Sequence, residues 1–174
     1  MSHSVPKQTA TSPPLLQPPF LADAMLERLA RWLRVLGYDV ASSSLAGPEA
    51  GAVLAQAAAQ GRILLTRNRQ FAKPGLGGDS LLIQPSTPLA QLTQVIGQFQ
   101  LRGPWTLFTR CLLCNATLNP PASALTDAPG SPPSGTVTRQ CPHCGRHYWE
   151  GVHTRRMRAA LKRGLGPRFA EVVG

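Results

Sequence analysis

Residues 20–40, FLADAMLERLARWLRVLGYDV, pass from a short apolar run to an acid, then to an amphipathic segment, then back to an apolar run. Few folds accept that order. Phe20-Leu21-Ala22, preceded by Pro18 and Pro19, is long enough for one buried strand. Leu26, Leu29, Ala30, Leu33 and Leu36 recur at the three-and-four spacing of one helix face, and Trp32 widens it. Glu27 is one turn from Arg31, a pairing worth roughly 0.2–0.5 kcal/mol. Arg28, Arg31 and Arg34 recur along a different side, which reads either as a solvated face or as a cationic row. Gly37 is placed for a left-handed helix cap, and Tyr38-Asp39-Val40 begins a second strand. The segment is a βαβ unit.

Asp23 falls where the first strand ends and the helix begins. Open α/β folds place ligands at that edge of a parallel sheet, so the carboxylate is a candidate ligand. It is also a favoured N-cap residue, although Leu26 three positions on leaves no capping box.

The same alternation continues downstream. Pro48 and Glu49 suit the opening of a helix over 50–60, where Val53, Leu54, Ala57 and Ala58 form the apolar face and Gly61 the stop. Ile63-Leu64-Leu65-Thr66 is a buried-type strand, with Arg67-Asn68-Arg69 at its exit. After the turn-rich KPGLGGD, Leu81-Leu82-Ile83 is another such strand. Thr87-Pro88 then opens a helix carrying Leu89, Leu92, Val95, Ile96 and Phe99 on one face. Strands alternating with helices predict a small parallel α/β sandwich over 19–103. Residues 1–18 are polar and proline-rich and read as a disordered leader.

Composition changes after Gly103-Pro104, and all four cysteines lie beyond it. Cys111-Leu-Leu-Cys114 and Cys141-Pro-His-Cys144 are two CxxC knuckles, each bringing two thiolates to one point. The 26 residues between them include the core-poor stretch 119–136, a flexible loop. Loop length costs only about 0.6 kcal/mol per doubling, so the spacing is compatible with one shared metal. A closed four-sulfur site is a structural zinc site, with four-cysteine iron as the alternative. Arg110, Arg139 and Arg146 are placed to compensate its charge. The ribbon spans 104–157, and a basic tail follows over 158–174.

Neither a secretory signal nor a run of ~20 apolar residues is present, so the chain reads as cytoplasmic, off the membrane, with reduced thiols. The balance is 18 Lys and Arg against 8 Asp and Glu, and only Lys7, Lys73 and Lys162 are lysines. Arginine's planar fork suits phosphate, and a basic, arginine-rich chain of this size points to nucleic acid. Candidate RNA contacts are Arg28, Arg31, Arg67, Arg69, Arg155, Arg156 and Arg158. Tyr148 and Trp149 add aromatic faces that either stack on unpaired bases or form the ribbon's own core.

Four segments carry a resemblance to a known family: FLADAMLERLARWLRVLGYDV, GRILLTR, CLLCN and CPHCGRHYWEGVH. Together they resemble the Mut-seven C-terminal ribonuclease family, which joins a PIN-like nuclease fold to a C-terminal zinc ribbon. The likeness runs from about Phe20 to about Met157. It implies a sheet edge where acidic side chains hold Mg²⁺ or Mn²⁺, activating water against a phosphodiester. Asp23 matches the family's first acid. The second, at the opening of the second helix, falls by straight count on Ala50, with Glu49 one residue away. The third belongs to a Thr-Arg-Asp sequence that here is Thr66-Arg67-Asn68. Asn68 offers a carbonyl oxygen without the charge, and Asp39 and Asp79 are the carboxylates that could stand in. A site with fewer carboxylates holds a hard divalent ion more weakly.

Two functions follow. One is a metal-dependent ribonuclease with Asp23, Glu49 and Asn68 at its centre. The other is a non-catalytic RNA-binding protein that keeps the fold and ribbon, with tRNA, rRNA or the ribosome as candidate partners. A protein-interaction module built on the ribbon is a third class.

Overall fold

The computed structural model describes residues 17–43, 50–71, 79–103, 105–123 and 132–170; residues 1–16, 44–49 (Glu49 among them), 72–78, 104, 124–131 and 171–174 lie outside them. Four parallel strands, β1 (Phe20–Ala22), β2 (Val40–Ser42), β3 (Ile63–Thr66) and β4 (Ser80–Leu82), form a sheet in the order β2-β1-β3-β4. Helices α1 (Glu27–Val35), α2 (Ala50–Ala59) and α3 (Pro88–Gln98) connect and follow them. The strands expected from the apolar runs are all present, and the alternation of side chains along them explains the layers. Phe20, Ala22 and Leu65 face the α1–α3 side, where Leu29, Leu33, Leu92, Val95 and Ile96 complete the core. Leu21 and Leu64 face the other way, onto Val53, Leu54 and Ala57 of α2.

The chain leaves β1 on one side to make β2 and crosses to its other side for β3. The strand order therefore reverses between β1 and β3, and the crevice at their carboxyl ends is the place where such sheets bind ligands.

Gly37 ends α1 at φ +93°. Tyr38 N–H returns to Leu33 O (3.1 Å) and Gly37 N–H to Arg34 O (3.0 Å), the paired bonds of a Schellman cap. A Cβ at Gly37 would also stand 2.9 Å from the Thr106 carbonyl. Both the backbone angle and the close approach of the next module require glycine.

The second module is a small antiparallel sheet of β5 (Ala122–Ser123), β6 (Val137–Gln140) and β7 (His147–Trp149). β5 lies within the expected 119–136 loop and pairs with β6, so that the loop's first residues extend the ribbon. Helix α4 (Val152–Leu165) and the short α5 (Pro167–Ala170) follow. The described part of the basic tail is thus helical, continuing α4 without a break at residue 157. Leu161, Leu165 and Phe169 join the main core, where Phe169 stacks on Trp105 with centroids 6.3 Å apart. Trp105 Nε1 in turn donates to the Tyr38 hydroxyl at 2.6 Å. Among the described residues no helix is long and apolar enough to cross a membrane.

Candidate metal centre and sheet-edge site

Asp23 occupies the carboxyl end of β1 and is nearly buried, at 7% exposure. Its Oδ1 accepts from Met25 N–H (2.9 Å), which caps the 3-10 turn Ala24–Leu26. Its Oδ2 accepts from Thr66 Oγ1 (2.5 Å) and from Arg67 N–H (3.1 Å), both at the carboxyl end of β3. Capping and edge placement are therefore the same geometry: one oxygen holds the helix start and the other ties β1 to β3. A carboxylate has about four acceptor positions, so three bonds leave about one for a ligand. Thr66 is the residue that sequence reading passed over here, because its role depends on a partner 43 positions away.

Asn68 lies beside this pair. Its N–H donates to Thr66 Oγ1 (3.0 Å), and its Oδ1 accepts from Gln70 N–H (2.9 Å) in a local turn. The oxygen expected to face a metal is thus engaged by the backbone. Glu49 lies outside the described residues. Asp39 and Asp79 precede β2 and β4, at the amino edge of the sheet, opposite Asp23. Among the described residues the sheet edge holds no cluster of three acidic or histidine groups.

Asp39 has a different role. It receives Arg62 Nη1 at 2.7 Å and Asn115 Nδ2 at 2.6 Å, and Arg110 stands 4.0 Å away. Burial raises its proton affinity, but the hydrogen bonds from Arg62 and Asn115 and the two guanidinium charges outweigh that and hold the carboxyl below its usual range. Arg110 also donates to Gly37 O (3.1 Å) and to Asn115 O (3.1 Å), so it fastens the two modules.

Arg34 corrects the reading of an arginine row on α1. It is buried, at 1% exposure, with five hydrogen bonds. Nε reaches Val40 O (2.9 Å), Nη2 reaches Ser42 Oγ (2.6 Å), and Nη1 reaches Glu27 Oε1 (3.1 Å) and the Leu112 and Leu113 carbonyls (2.8 and 3.1 Å). The first cysteine knuckle therefore docks on edge strand β2 through a guanidinium, and Asn115 Oδ1 accepts the Val40 N–H of that edge at 3.0 Å. Arg28 and Arg31 remain exposed, Arg31 near Glu27 at 3.7 Å.

The four sulfurs of Cys111, Cys114, Cys141 and Cys144 lie within 4.8 Å of one another. Cys111 and Cys144 are 3.6 Å apart, and Cys114 and Cys141 3.5 Å. A tetrahedron of zinc–sulfur bonds of about 2.3 Å has edges of about 3.8 Å, so the donor set and its spacing fit zinc. The two knuckles repeat one hydrogen-bond pattern. Cys111 N–H bonds Ala116 O as Cys141 N–H bonds Arg146 O, both at 2.8 Å. Cys114 and Cys144 N–H groups approach the sulfurs of Cys111 and Cys141 at 3.5 and 3.4 Å. Asn115 and Gly145, at φ +68° and +72°, take the left-handed position in each.

Burial pushes the Cys111 thiol up, but bonds from the Cys114 N–H and the Tyr148 hydroxyl bring it down to about 6. Burial, with the neighbouring thiols, pushes Cys114 up to about 12. Several thiolates cannot share so small a volume without a cation. The Tyr148 hydroxyl also accepts from Leu112 N–H (3.1 Å), and its ring packs on the cysteine cluster. Trp149, the neighbouring aromatic, is half-buried and lines a groove beside α4.

The remaining candidate cations form two groups. Arg67 and Arg69 are exposed just beyond β3, next to Asp23. Arg155 and Arg156 are exposed on α4, whereas Arg158 is half-buried, 5.3 Å over the Phe108 ring and 3.6 Å from Glu150.

A parallel PIN-like sheet with an oriented acid at its switch point, docked to a ribbon whose four cysteines can hold a metal ion, defines a two-module α/β protein. The family model described as "Mut7-C RNAse domain" matches residues 18–161, and the chain belongs to that family. No curated protein and no solved structure matches the chain.

Proposed function

We propose that this protein acts on RNA and that the Asp23 edge is a weak, substrate-dependent metal site of a slow ribonuclease. The observation that carries the reading is the Asp23 carboxylate. It is nearly buried, oriented by three hydrogen bonds and placed at the crevice between β1 and β3. Mg²⁺ commonly takes only one or two carboxylates and completes its shell with water and substrate phosphate. Asp23 retains about one acceptor position, and Glu49 is the second carboxylate assigned to the site. A bound Mg²⁺ or Mn²⁺ would lower the pKa of water and offset charge on the phosphodiester. The chain's own contributions are to fix the Asp23 oxygen through Thr66 and Arg67 and to present Arg67 and Arg69, with Arg28 nearby on α1, to the RNA backbone.

One observation favours the non-catalytic reading instead: the Asn68 Oδ1 already accepts from Gln70 N–H, so an uncharged oxygen with one acceptor position left is what the third ligand position offers. The test is cleavage of mixed RNA with Mg²⁺ and with Mn²⁺. The wild type should cut slowly, Asp23→Asn should not cut, and Asn68→Asp should cut faster and melt at a temperature more dependent on metal. If the wild type and Asn68→Asp are both inert and both indifferent to metal, RNA binding without catalysis is the function.

A further inference from the structure

A groove of about 240 Å³ is lined by residues of the ribbon strands and of α4, none of them a cysteine or a residue of the Asp23 crevice. It is smaller than the ~300–1,000 Å³ of drug-sized pockets, which suits a single planar fragment. Trp149, Arg158, Glu150, Val137 and Phe108 supply its chemistry. The Trp149 ring is half-buried, and among the described residues, of its polar atoms outside the strand only the backbone carbonyl takes a bond, from Thr154 Oγ1 at 3.5 Å. Gly151 packs close against the indole, and a Cβ there would come within 3.2 Å of Nε1. Arg158 is held in the wall by the Phe108 ring and by Glu150. The Glu150 carboxylate repels phosphate, while it can accept from the N–H groups of a base edge.

The side of α4 that faces solvent continues this site. Arg155 and Lys162 are exposed seven residues apart, as are Arg156 and Arg163, while Leu161 and Leu165 are buried on the opposite face. No carboxylate lies within ion-pair distance of these four cations among the described residues. At 1.5 Å per residue they span about 12 Å.

We propose that this groove binds one unpaired base of single-stranded RNA, stacked on Trp149, while the adjoining backbone follows the cationic side of α4. The inference rests on the reading that the protein acts on RNA and names a place where the RNA is held. A duplex keeps its bases paired and can use only the cationic helix; a single strand uses both.

The test is fluorescence anisotropy on the full-length, zinc-loaded protein with a short labelled oligoadenylate and a blunt RNA duplex of equal length. Trp149→Ala should weaken oligoadenylate binding by about 5- to 100-fold and leave duplex binding unchanged. Trp149→Phe, which keeps a stacking face, should stay close to wild type. Val137→Glu adds a charge at the rim on a residue that is 62% exposed, and should reproduce the single-strand loss without touching the core. Arg155→Gln with Arg156→Gln should weaken both probes alike. Zinc content and melting temperature accompany each variant, and Val137→Glu decides if Trp149→Ala loses its zinc. Wild-type affinity for oligoadenylate in the deciding variant, or equal losses on both probes, overturns the base site alone. A wild type that binds neither probe overturns the RNA reading with it.

Discussion

Replacing Arg34 with Met keeps most of the aliphatic stem and removes the guanidinium that joins the two modules. Three carbonyls lose a donor: Val40, Leu112 and Leu113. Leu113 is exposed, so water replaces its bond. Glu27 is about a third exposed and keeps Ser42 and Arg31, so the lost ion pair adds little. The Val40 and Leu112 carbonyls remain, at about 1–3 kcal/mol each when left without a donor. Relief from burying the guanidinium charge offsets part of this, so the net destabilisation is about 2–4 kcal/mol. For a chain of this length that lowers Tm by about 5–15 °C. Arg34→Lys should recover little, because an ammonium lacks the planar fork that reaches Val40, Ser42 and Leu112 together. Thermal unfolding of zinc-loaded protein by circular dichroism measures the shift, and zinc release to a chelator should be faster in the variant. A Tm within about 2 °C of wild type for Arg34→Met, or full rescue by Lys, refutes the argument.

Elemental analysis of reduced, folded protein should find one zinc per chain, and Cys141→Ser should lose it together with the ribbon's protection from proteolysis; folded protein without metal would sink the assignment. Asp39 should shape the acid limb of stability. Its folded carboxyl titrates below the ordinary value of 3.8, so its stabilisation is complete above that value and is lost as pH falls through the lower folded one. Urea midpoints from neutral pH downward should therefore fall less steeply below about pH 4 in Asp39→Asn than in wild type, from a lower starting value, and parallel curves would contradict this. Removing Arg155 and Arg156 should flatten the salt dependence of single-strand binding by about 1.4 in log–log slope, at about 0.7 per lost phosphate contact, and an unchanged slope would remove α4 from the contact surface.

The amino-acid sequence by itself determined the parts of this protein that depend on near neighbours. The apolar runs at 20–22, 63–66 and 81–83 and the helix-face spacings of α1 and α3 report which sides are buried, and burial needs no named partner. Gly37 and the two CxxC knuckles are equally local, because a left-handed cap and a two-sulfur turn close within a few residues. Helix α4 was half-legible: Met157, Leu161 and Leu165 recur every four residues, but the cations between them and Gly164 hid the stripe in what read as a basic tail. The tertiary structure decided what each polar side chain is for. Arg34 and Arg28 look alike on one helix, yet Arg34 is buried against carbonyls 78 and 79 positions away, while Arg28 is exposed. Asp23, Asp39 and Asp79 are all acids beside strands, but chain direction puts only Asp23 at the carboxyl edge, where Thr66 and the Arg67 N–H converge on it. A hydrogen bond is directional and short, so the meaning of a charged residue is set by groups that only folding brings within about 3 Å.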